Sequence, residues 1–137
     1  MELRFPRPLP SIMKLQPDQF DVQSISGYGP GWIGVDGEKI THSVIITSAG
    51  DRIAWRPERF EDLEAEHFAL LARVQAEVVI FGSGSRIRFP QAAWLAPLIE
   101  RRVGIETMDT AAACRTYNIL AQEGRSVAVA LLLEQPA

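Results

Sequence analysis

The distribution of hydrophobic and polar residues divides the chain into a first half of short strands and a second half in which helices and strands alternate. In the first half, apolar positions in 20–25 and 32–35 are separated by a Gly-rich turn, and Asp36-Gly37 is a strong hairpin signal. Further strands are predicted at 39–47 and 52–55. The first half is therefore expected to form an antiparallel meander.

Three helices are predicted in the second half. An apolar stripe at helical spacing indicates one over 60–74, with its acidic residues off the stripe. A second helix is expected over 90–101, where Pro97 predicts a kink or a break. The third spans 110–122 and is closed near Gly124.

Two unbroken apolar runs, 78–81 and 127–133, are typical of strands covered on both faces. We expect both to be central strands, with a shorter strand at 105–108. Together with the predicted helices they indicate the α/β class: a three-layer single domain with a central mixed sheet, packed helices and an added N-terminal antiparallel hairpin layer.

The first 19 residues have a different character, because prolines at positions 6, 8, 10 and 17 disfavour a regular helix or a central strand. We predict an extended Pro-rich arm over 1–19, followed by one α/β domain over 20–137. Two interpretations of the arm stay open: a segment that lies across the domain or a partner, and a loosely packed terminus.

Composition narrows the function class. A length of 137 residues suits one domain, and 47% hydrophobic with 23% charged residues is ordinary for a soluble fold. The net charge of −3 argues against a nucleic-acid binder, and no apolar run is long enough to cross a bilayer. The N-terminal segment has neither signal-peptide nor transit-peptide character, and a single cysteine excludes an internal disulfide. A cytoplasmic location is expected.

Four segments carry a family resemblance: FGSG at 81–84, GIETMDT at 104–110, AACRTYNIL at 112–120 and EGR at 123–125. They resemble the small α/β family, with an Mth-like domain, that includes the mitochondrial complex I assembly factor 3 and the vertebrate adipogenesis-associated protein. The resemblance covers about 20–133 and implies a three-layer α/β fold. It implies a role in complex I assembly for the mitochondrial branch, whereas this chain is expected to be a bacterial member.

A candidate ligand site lies where the 110–122 helix begins. Its first turn carries three alanines, so a ligand could approach the free backbone N–H groups, which favour negative charge. The 82–85 loop follows a presumed parallel strand and is expected to face this helix start across a crevice at the strands' carboxyl ends. Asp109, as an N-cap, would compete with an anion for the same donors. The candidate residues are Ser83, Gly84, Ser85, Asp109, Thr110, Arg115, Asn118 and Arg125.

The same loop mimics part of a dinucleotide fingerprint, since Glu106 follows it at about the distance of a ribose-binding acid. The third glycine is missing, however, and residues 86–90 separate the loop from the next helix. A tight turn is therefore the favoured interpretation, and no cofactor is predicted.

Other reactive side chains have structural interpretations that we favour. Neither His42 nor His67 forms a recognisable motif with Cys114, so this cysteine is expected to be buried and slow to react. Asn118 lies in mid-helix, where a hydrogen bond to a neighbouring backbone is favoured over a bond to a ligand. No catalytic residue and no metal site is predicted.

Two functional hypotheses follow from these observations. The first is a non-enzymatic interaction or accessory module whose partner is another protein; if Tyr28 and Trp32 are exposed, they would suit such an interface. The second is an enzyme or small-anion sensor that uses the crevice between the 82–85 loop and the start of the helix at 109–118.

Overall fold

A computed structural model describes residues 22–136, and the predicted arm at 1–19 lies outside these described residues. Within them the chain forms eight strands and three α-helices, with two short 3-10 turns at Phe60–Asp62 and Ala92–Leu95. The strands are β1 (Ile25–Gly29), β2 (Trp32–Val35), β3 (Glu38–Ile40), β4 (Val44–Thr47), β5 (Arg52–Ala54), β6 (Val78–Gly82), β7 (Gly104–Met108) and β8 (Val127–Leu131), and the helices are α1 (Ala65–Arg73), α2 (Ala96–Glu100) and α3 (Thr110–Gln122).

A five-stranded mixed sheet forms the centre of the fold, in the order β5-β4-β8-β6-β7. β6 runs parallel to both β7 and β8, and β4 pairs antiparallel with β8 and β5. The two apolar runs provide β6 and β8, two of its three inner strands, and every residue of β8 is buried. The prediction that both runs are central strands is confirmed.

The sheet is covered on both faces, which gives the predicted three-layer α/β domain. One face packs against α3 and the three-stranded antiparallel sheet β1-β2-β3. The other face packs against α1 and α2 around an aromatic cluster in which the ring centroid of Phe68 lies 5.3 Å from that of Phe81 and 5.8 Å from that of Trp94. Trp55 completes this cluster and belongs to the core.

The first half of the chain is not a single meander. The strand predicted over 39–47 is divided into β3 and β4, which belong to different sheets. β4 is buried at every position because its side chains enter the core layers on both faces of the central sheet, whereas β3 exposes two of its three residues. Of the strand predicted at 20–25, residues 20–21 lie outside the described residues, and among 22–25 only Ile25 is in a strand, as the first residue of β1. Local alternation could not distinguish one long strand from two strands that separate after residue 40.

The helices differ from the predictions mainly at their boundaries. The helix expected over 60–74 becomes a 3-10 turn and then α1, because extended backbone at Leu63 turns this side chain into the core. The helix expected over 90–101 is a 3-10 turn followed by α2, and Pro97 lies in the first turn of α2, where its missing N–H costs no hydrogen bond. The helix predicted over 110–122 is confirmed as α3.

Candidate functional site

The carboxyl ends of β6 and β7 lie side by side, since Gly82 pairs with Met108 in the parallel register. Ser83 and Asp109 therefore follow at the same edge of the sheet, as predicted. A Cβ atom at Gly82 would lie 3.0 Å from Ala113 Cβ and 3.1 Å from Thr110 Cα. The absence of a side chain at this position lets the start of α3 pack directly on β6.

A cavity of about 600 Å³ opens at this edge, and we call it the cleft. The β1–β2 turn, the 84–85 loop, the start of α3 and the segment after β8 form its walls. Its lining residues are Tyr28, Gly29, Pro30, Gly31, Gly84, Ser85, Asp109, Thr110, Ala111, Leu132, Leu133, Glu134, Gln135 and Pro136.

The polar groups at the start of α3 are bonded to the protein itself. Asp109 Oδ1 accepts a hydrogen bond from Ala112 N at 2.8 Å, which makes Asp109 the N-cap. Thr110 Oγ1 accepts from Gly84 N at 2.8 Å and donates to Leu132 O at 3.0 Å. Thr110 N donates to Gly84 O at 2.8 Å. These bonds fix three of the predicted site residues against the floor of the cleft.

Ser83 and Ser85 have different environments. Ser83 is fully buried, and its Oγ donates to Arg86 O at 2.8 Å and accepts from Arg88 N at 2.9 Å. This serine shapes the loop and does not line the cleft. Ser85 is exposed and lies in the cleft wall.

The predicted residues along α3 take three different positions. Asn118 holds β1 with two bonds, accepting from Ile25 N at 2.9 Å and donating to Ile25 O at 2.8 Å, as the favoured backbone interpretation expected. Arg115 donates to the hydroxyl of Tyr28, a cleft residue, at 2.9 Å, and this bond raises the pKa of the guanidinium further. Arg125 follows the opposite end of α3, which at 1.5 Å per residue lies about 20 Å from Asp109. The structure does not bring Arg125 to the cleft.

An ion pair that no sequence pattern predicted lies beside the cleft. Arg88 Nη2 lies 2.6 Å from Glu134 Oε1 and 2.6 Å from Ser83 O, to which it also donates. Glu134 Oε2 accepts from Phe60 N at 2.8 Å, and the guanidinium lies 4.6 Å from the centre of the Phe60 ring. Gly84, with φ of +103°, leaves room for this network, because a Cβ there would lie 2.5 Å from both charged groups.

Only a weak signal in the sequence could have indicated this pair. In the order Arg86-Ile87-Arg88-Phe89, charged and apolar residues alternate. Such a pattern predicts that one set of side chains packs against the protein and the other faces solvent. The structure turns Arg88 inward and exposes Ile87 and Phe89, which are 50% and 69% accessible. We call these two residues the apolar loop.

Tyr28 and Trp32 lie on opposite faces of the hairpin sheet. Tyr28 is 36% exposed and faces α3, where it accepts from Arg115. The Trp32 ring lies against Gly27 and Gly29 on the other face, with Lys39 Nζ 5.1 Å from the ring centre. Of the two hairpin aromatics that could suit a protein interface, Tyr28 is therefore the more exposed.

Cys114 is fully buried in the core layer between α3 and the central sheet. Burial raises the pKa of its thiol to about 12. Within residues 22–136, no group of three or more His, Cys, Asp or Glu side chains is arranged to hold a metal ion. No α-helix in this part of the chain has the length and apolar character needed to cross a membrane.

A family comparison matches almost the whole described domain. The model of the DUF498/DUF598 family, described as a protein of unknown function, matches residues 25–132. The chain belongs to this family. The DUF498/DUF598 match begins in β1 and ends just after β8, so it includes every wall of the cleft except the last residues of the C-terminal segment.

Among DUF498/DUF598 relatives, human NADH dehydrogenase [ubiquinone] 1 alpha subcomplex assembly factor 3 is 27% identical over 130 residues, which cover 88% of this chain and 66% of the human protein. The chain spans from 45% of the bovine to 66% of the human protein of this name. The predicted relationship to complex I assembly factor 3 is confirmed.

Solved bacterial structures share the DUF498/DUF598 fold. A Bordetella parapertussis protein is 36% identical with a TM-score of 0.77, over 82% of this chain and 97% of that one. A Bordetella pertussis protein described as a Mth938-like domain is 28% identical with a TM-score of 0.73, over 100% of this chain and 95% of that one. The expected Mth-like fold is confirmed.

Proposed function

We propose that this protein is a non-enzymatic interaction module that binds another protein and acts as an assembly or accessory factor. The observation that carries the proposal is the similarity to human assembly factor 3 across 88% of the chain. We also propose that the partner is a subunit or assembly intermediate of a respiratory complex I, and that the protein works in the bacterial cytoplasm.

The chemistry of the described side chains fits this role. The hydroxyls of Ser83 and Thr110 hold the loop and the helix start together. The amide of Asn118 is bonded to the backbone of β1, and the thiol of Cys114 is buried with a raised pKa. In the segments that carry the family resemblance, these side chains stabilise the fold. We therefore place the functional surface elsewhere.

The apolar loop is the surface that we propose for the partner. Ile87 and Phe89 lie two residues apart and are both largely exposed. Arg88 between them is fixed by Ser83 O and Glu134, so the two apolar side chains are presented from a held backbone. Exposed aromatic residues on an ordered support are typical centres of protein interfaces, because little conformational entropy is lost on binding.

Affinity capture from the native organism tests this proposal. Tagged wild-type protein, an Ile87→Ser/Phe89→Ser variant and an Ile99→Ser/Ile119→Ser variant are compared by quantitative mass spectrometry. The control removes two apolar side chains of similar exposure, 64% and 58%, on α2 and α3. We expect the apolar-loop variant to lose one co-purifying protein by about tenfold or more, which corresponds to about 1.4 kcal/mol of binding, while the control retains it. Equal recovery with both variants would exclude the apolar loop as the partner surface.

The cleft supports a second proposal, a small-ligand site. Gly84, Ser85, Asp109 and Thr110 from the predicted set line its volume of about 600 Å³, a size usual for ligand pockets. The carboxylates of Asp109 and Glu134 also line it and oppose an anion. Phosphate and short carboxylates are therefore titrated while the backbone amide shifts of residues 84–85 and 109–111 are followed. Unchanged shifts at millimolar ligand would remove the small-anion proposal.

A further inference from the structure

Strand β7 is the longer of the two outer strands of the central sheet. It has five residues, whereas β5 on the other side of the sheet has three. In the hairpin sheet, β3 also has only three residues, and the free side of β1 is blocked by Asn118, whose side chain bonds to Ile25 N and Ile25 O. Within residues 22–136, β7 therefore has the longest side that no other strand covers.

The open side of β7 presents four backbone groups. Gly104 N donates to Glu77 O at 3.2 Å in the parallel pairing with β6, so residues 104, 106 and 108 direct their backbone groups to β6. Successive residues of a strand direct these groups to opposite sides, and the N–H and C=O groups of Ile105 and Thr107 therefore point away from β6. No strand in the described part of the chain pairs with them. Unpaired groups of this kind are a template for a strand from another chain.

The side chains of β7 indicate what a pairing strand would carry. Met108 packs in the core layer under α3, and Ile105 packs in the layer under α1 and α2, so Gly104 and Glu106 share the α3 face of the sheet. Glu106 is exposed in the middle of the strand and forms no ion pair with a described residue. A Cβ at Gly104 would have only Val78 within 4 Å, which leaves room for a large side chain opposite this glycine.

Charge argues against a second copy of this chain as the pairing strand. Two antiparallel β7 strands would use all four open groups of each copy when Ile105 of one lies opposite Thr107 of the other. In that register Glu106 lies opposite Glu106 of the second copy, and like charges at opposed positions destabilise a strand pair. A strand with Lys or Arg at this position gains an opposite-charge pair instead.

From these observations we propose that β7 binds an extended strand of the partner protein, which adds antiparallel to the central sheet. The added strand carries Lys or Arg opposite Glu106 and a large apolar side chain opposite Gly104. Backbone bonds to Ile105 and Thr107 give affinity, and the two side-chain pairs give selectivity. The inference rests on the proposed interaction function and supplies a contact of the partner in addition to the apolar loop.

Titration with a peptide of defined sequence tests the proposal. The probe is acetyl-Thr-Phe-Thr-Lys-Thr-Phe-Thr-amide, and its control has glutamate in place of the lysine. With the ¹⁵N-labelled full-length chain we expect saturable shifts centred on the Ile105 and Thr107 amides, and slower hydrogen exchange of both. The glutamate peptide is expected to bind about fivefold or more weakly, because it exchanges an attractive pair for a repulsive one. No saturable change at these two amides with millimolar lysine peptide would overturn the proposal.

Charge reversal in the protein tests the pairing with Glu106. In Glu106→Lys the preference is expected to invert, so that the glutamate peptide binds about fivefold or more tightly than the lysine peptide. Glu58→Lys makes the same change of net charge at an exposed position outside the sheet and should keep the wild-type preference. An unchanged preference in Glu106→Lys would contradict the proposal.

N-methylated peptides test the backbone pairing. Methylation of the two threonine nitrogens that flank the lysine removes the donors that face Ile105 and Thr107, and it is expected to abolish binding. Methylation of the lysine nitrogen, which faces away from β7 in an antiparallel pair, should leave binding within about threefold of that of the parent peptide. Equal binding by the two methylated peptides would show contact without strand addition and would overturn the proposal.

The peptide experiment and the capture experiment fail independently. Ile87→Ser/Phe89→Ser is expected to bind the lysine peptide as wild-type protein does, because neither residue belongs to β7. Loss of peptide binding with intact capture of the partner would overturn strand addition alone. Capture that does not depend on the apolar loop would remove that surface and leave the peptide result in place.

Discussion

At the scale of single residues, Gly84 and Gly50 form a matched pair. Both have φ of +103°, but a Cβ at Gly84 would meet Arg88 Nη2 and Glu134 Oε1, whereas a Cβ at Gly50 has nothing within 4 Å. Gly50→Ala is therefore expected to lower the free energy of unfolding by about 1 kcal/mol, from backbone strain alone.

Gly84→Ala is expected to lower the same free energy by about 2 to 4 kcal/mol, because the added methyl group also displaces the ion pair. Urea unfolding of both variants measures the difference. Equal losses for the two variants would mean that the ion pair moves aside at no cost.

Cys114 makes a prediction about reactivity. The buried thiol has a pKa of about 12, raised from 9.0, so it stays protonated through a pH range in which an exposed cysteine ionises. The reaction of native protein with iodoacetamide is expected to remain slow from pH 7 to about pH 10. Unfolding the protein in urea should restore the rate of a free thiol. Rapid stoichiometric labelling of the folded protein at neutral pH would contradict this and would revive the enzyme hypothesis.

At the scale of elements, Asn118 joins α3 to β1. Asn118→Ala would leave Ile25 N and Ile25 O without their side-chain partner at a partly buried position. We expect a loss of about 1 to 3 kcal/mol in the free energy of unfolding and faster hydrogen exchange at the Ile25 amide. Gln122→Ala, at an exposed position of the same helix, should change neither quantity appreciably.

Arg88 and Glu134 join three segments that are distant in sequence. Their side chains are only 15% and 23% exposed, so removing one charge leaves the other poorly solvated. Arg88→Met is expected to cost about 2 to 4 kcal/mol of stability, and Arg88→Met/Glu134→Met less than the sum of its single variants. Arg86→Met, at an exposed neighbouring position, serves as the control in the same unfolding series.

The sequence predicted those elements whose position depends on local residue patterns. The unbroken apolar runs of β6 and β8 are typical of inner strands, and Asp109 and Gly124 define the ends of α3 through an N-cap bond and a φ of +83°. The division of 39–47 between two sheets could not be predicted, because it depends on which strands meet β4 in space.

The candidate site was likewise predicted only in part. The rule for parallel strands placed Ser83 and Asp109 at one edge, and Gly84, Ser85 and Thr110 line the cleft there. Arg88 and Glu134 are 46 residues apart, and neither lies in a sequence pattern that indicates its partner. Their pairing follows from tertiary packing that no local rule contains.

At the scale of the whole molecule, the carboxyl edge of the sheet carries two proposed functional surfaces. The cleft lies between the hairpin layer and α3, and the apolar loop follows β6 at the same edge. The segment after β8 connects these parts, since Thr110 Oγ1 bonds to Leu132 O, Glu134 pairs with Arg88, and the Gln135 side chain donates to Gly31 O at 2.9 Å. Loops held this way can present a fixed surface to a partner.

The most direct test of the interaction-module account is the affinity between purified proteins, measured by isothermal titration calorimetry with the partner identified by capture. The account predicts saturable binding by wild-type protein and by Ile99→Ser/Ile119→Ser. Ile87→Ser/Phe89→Ser should bind about 30-fold or more weakly, since the removal of a hot-spot side chain costs about 2 kcal/mol or more. Equal affinity for all three proteins, or no binding between the purified components, would contradict the account.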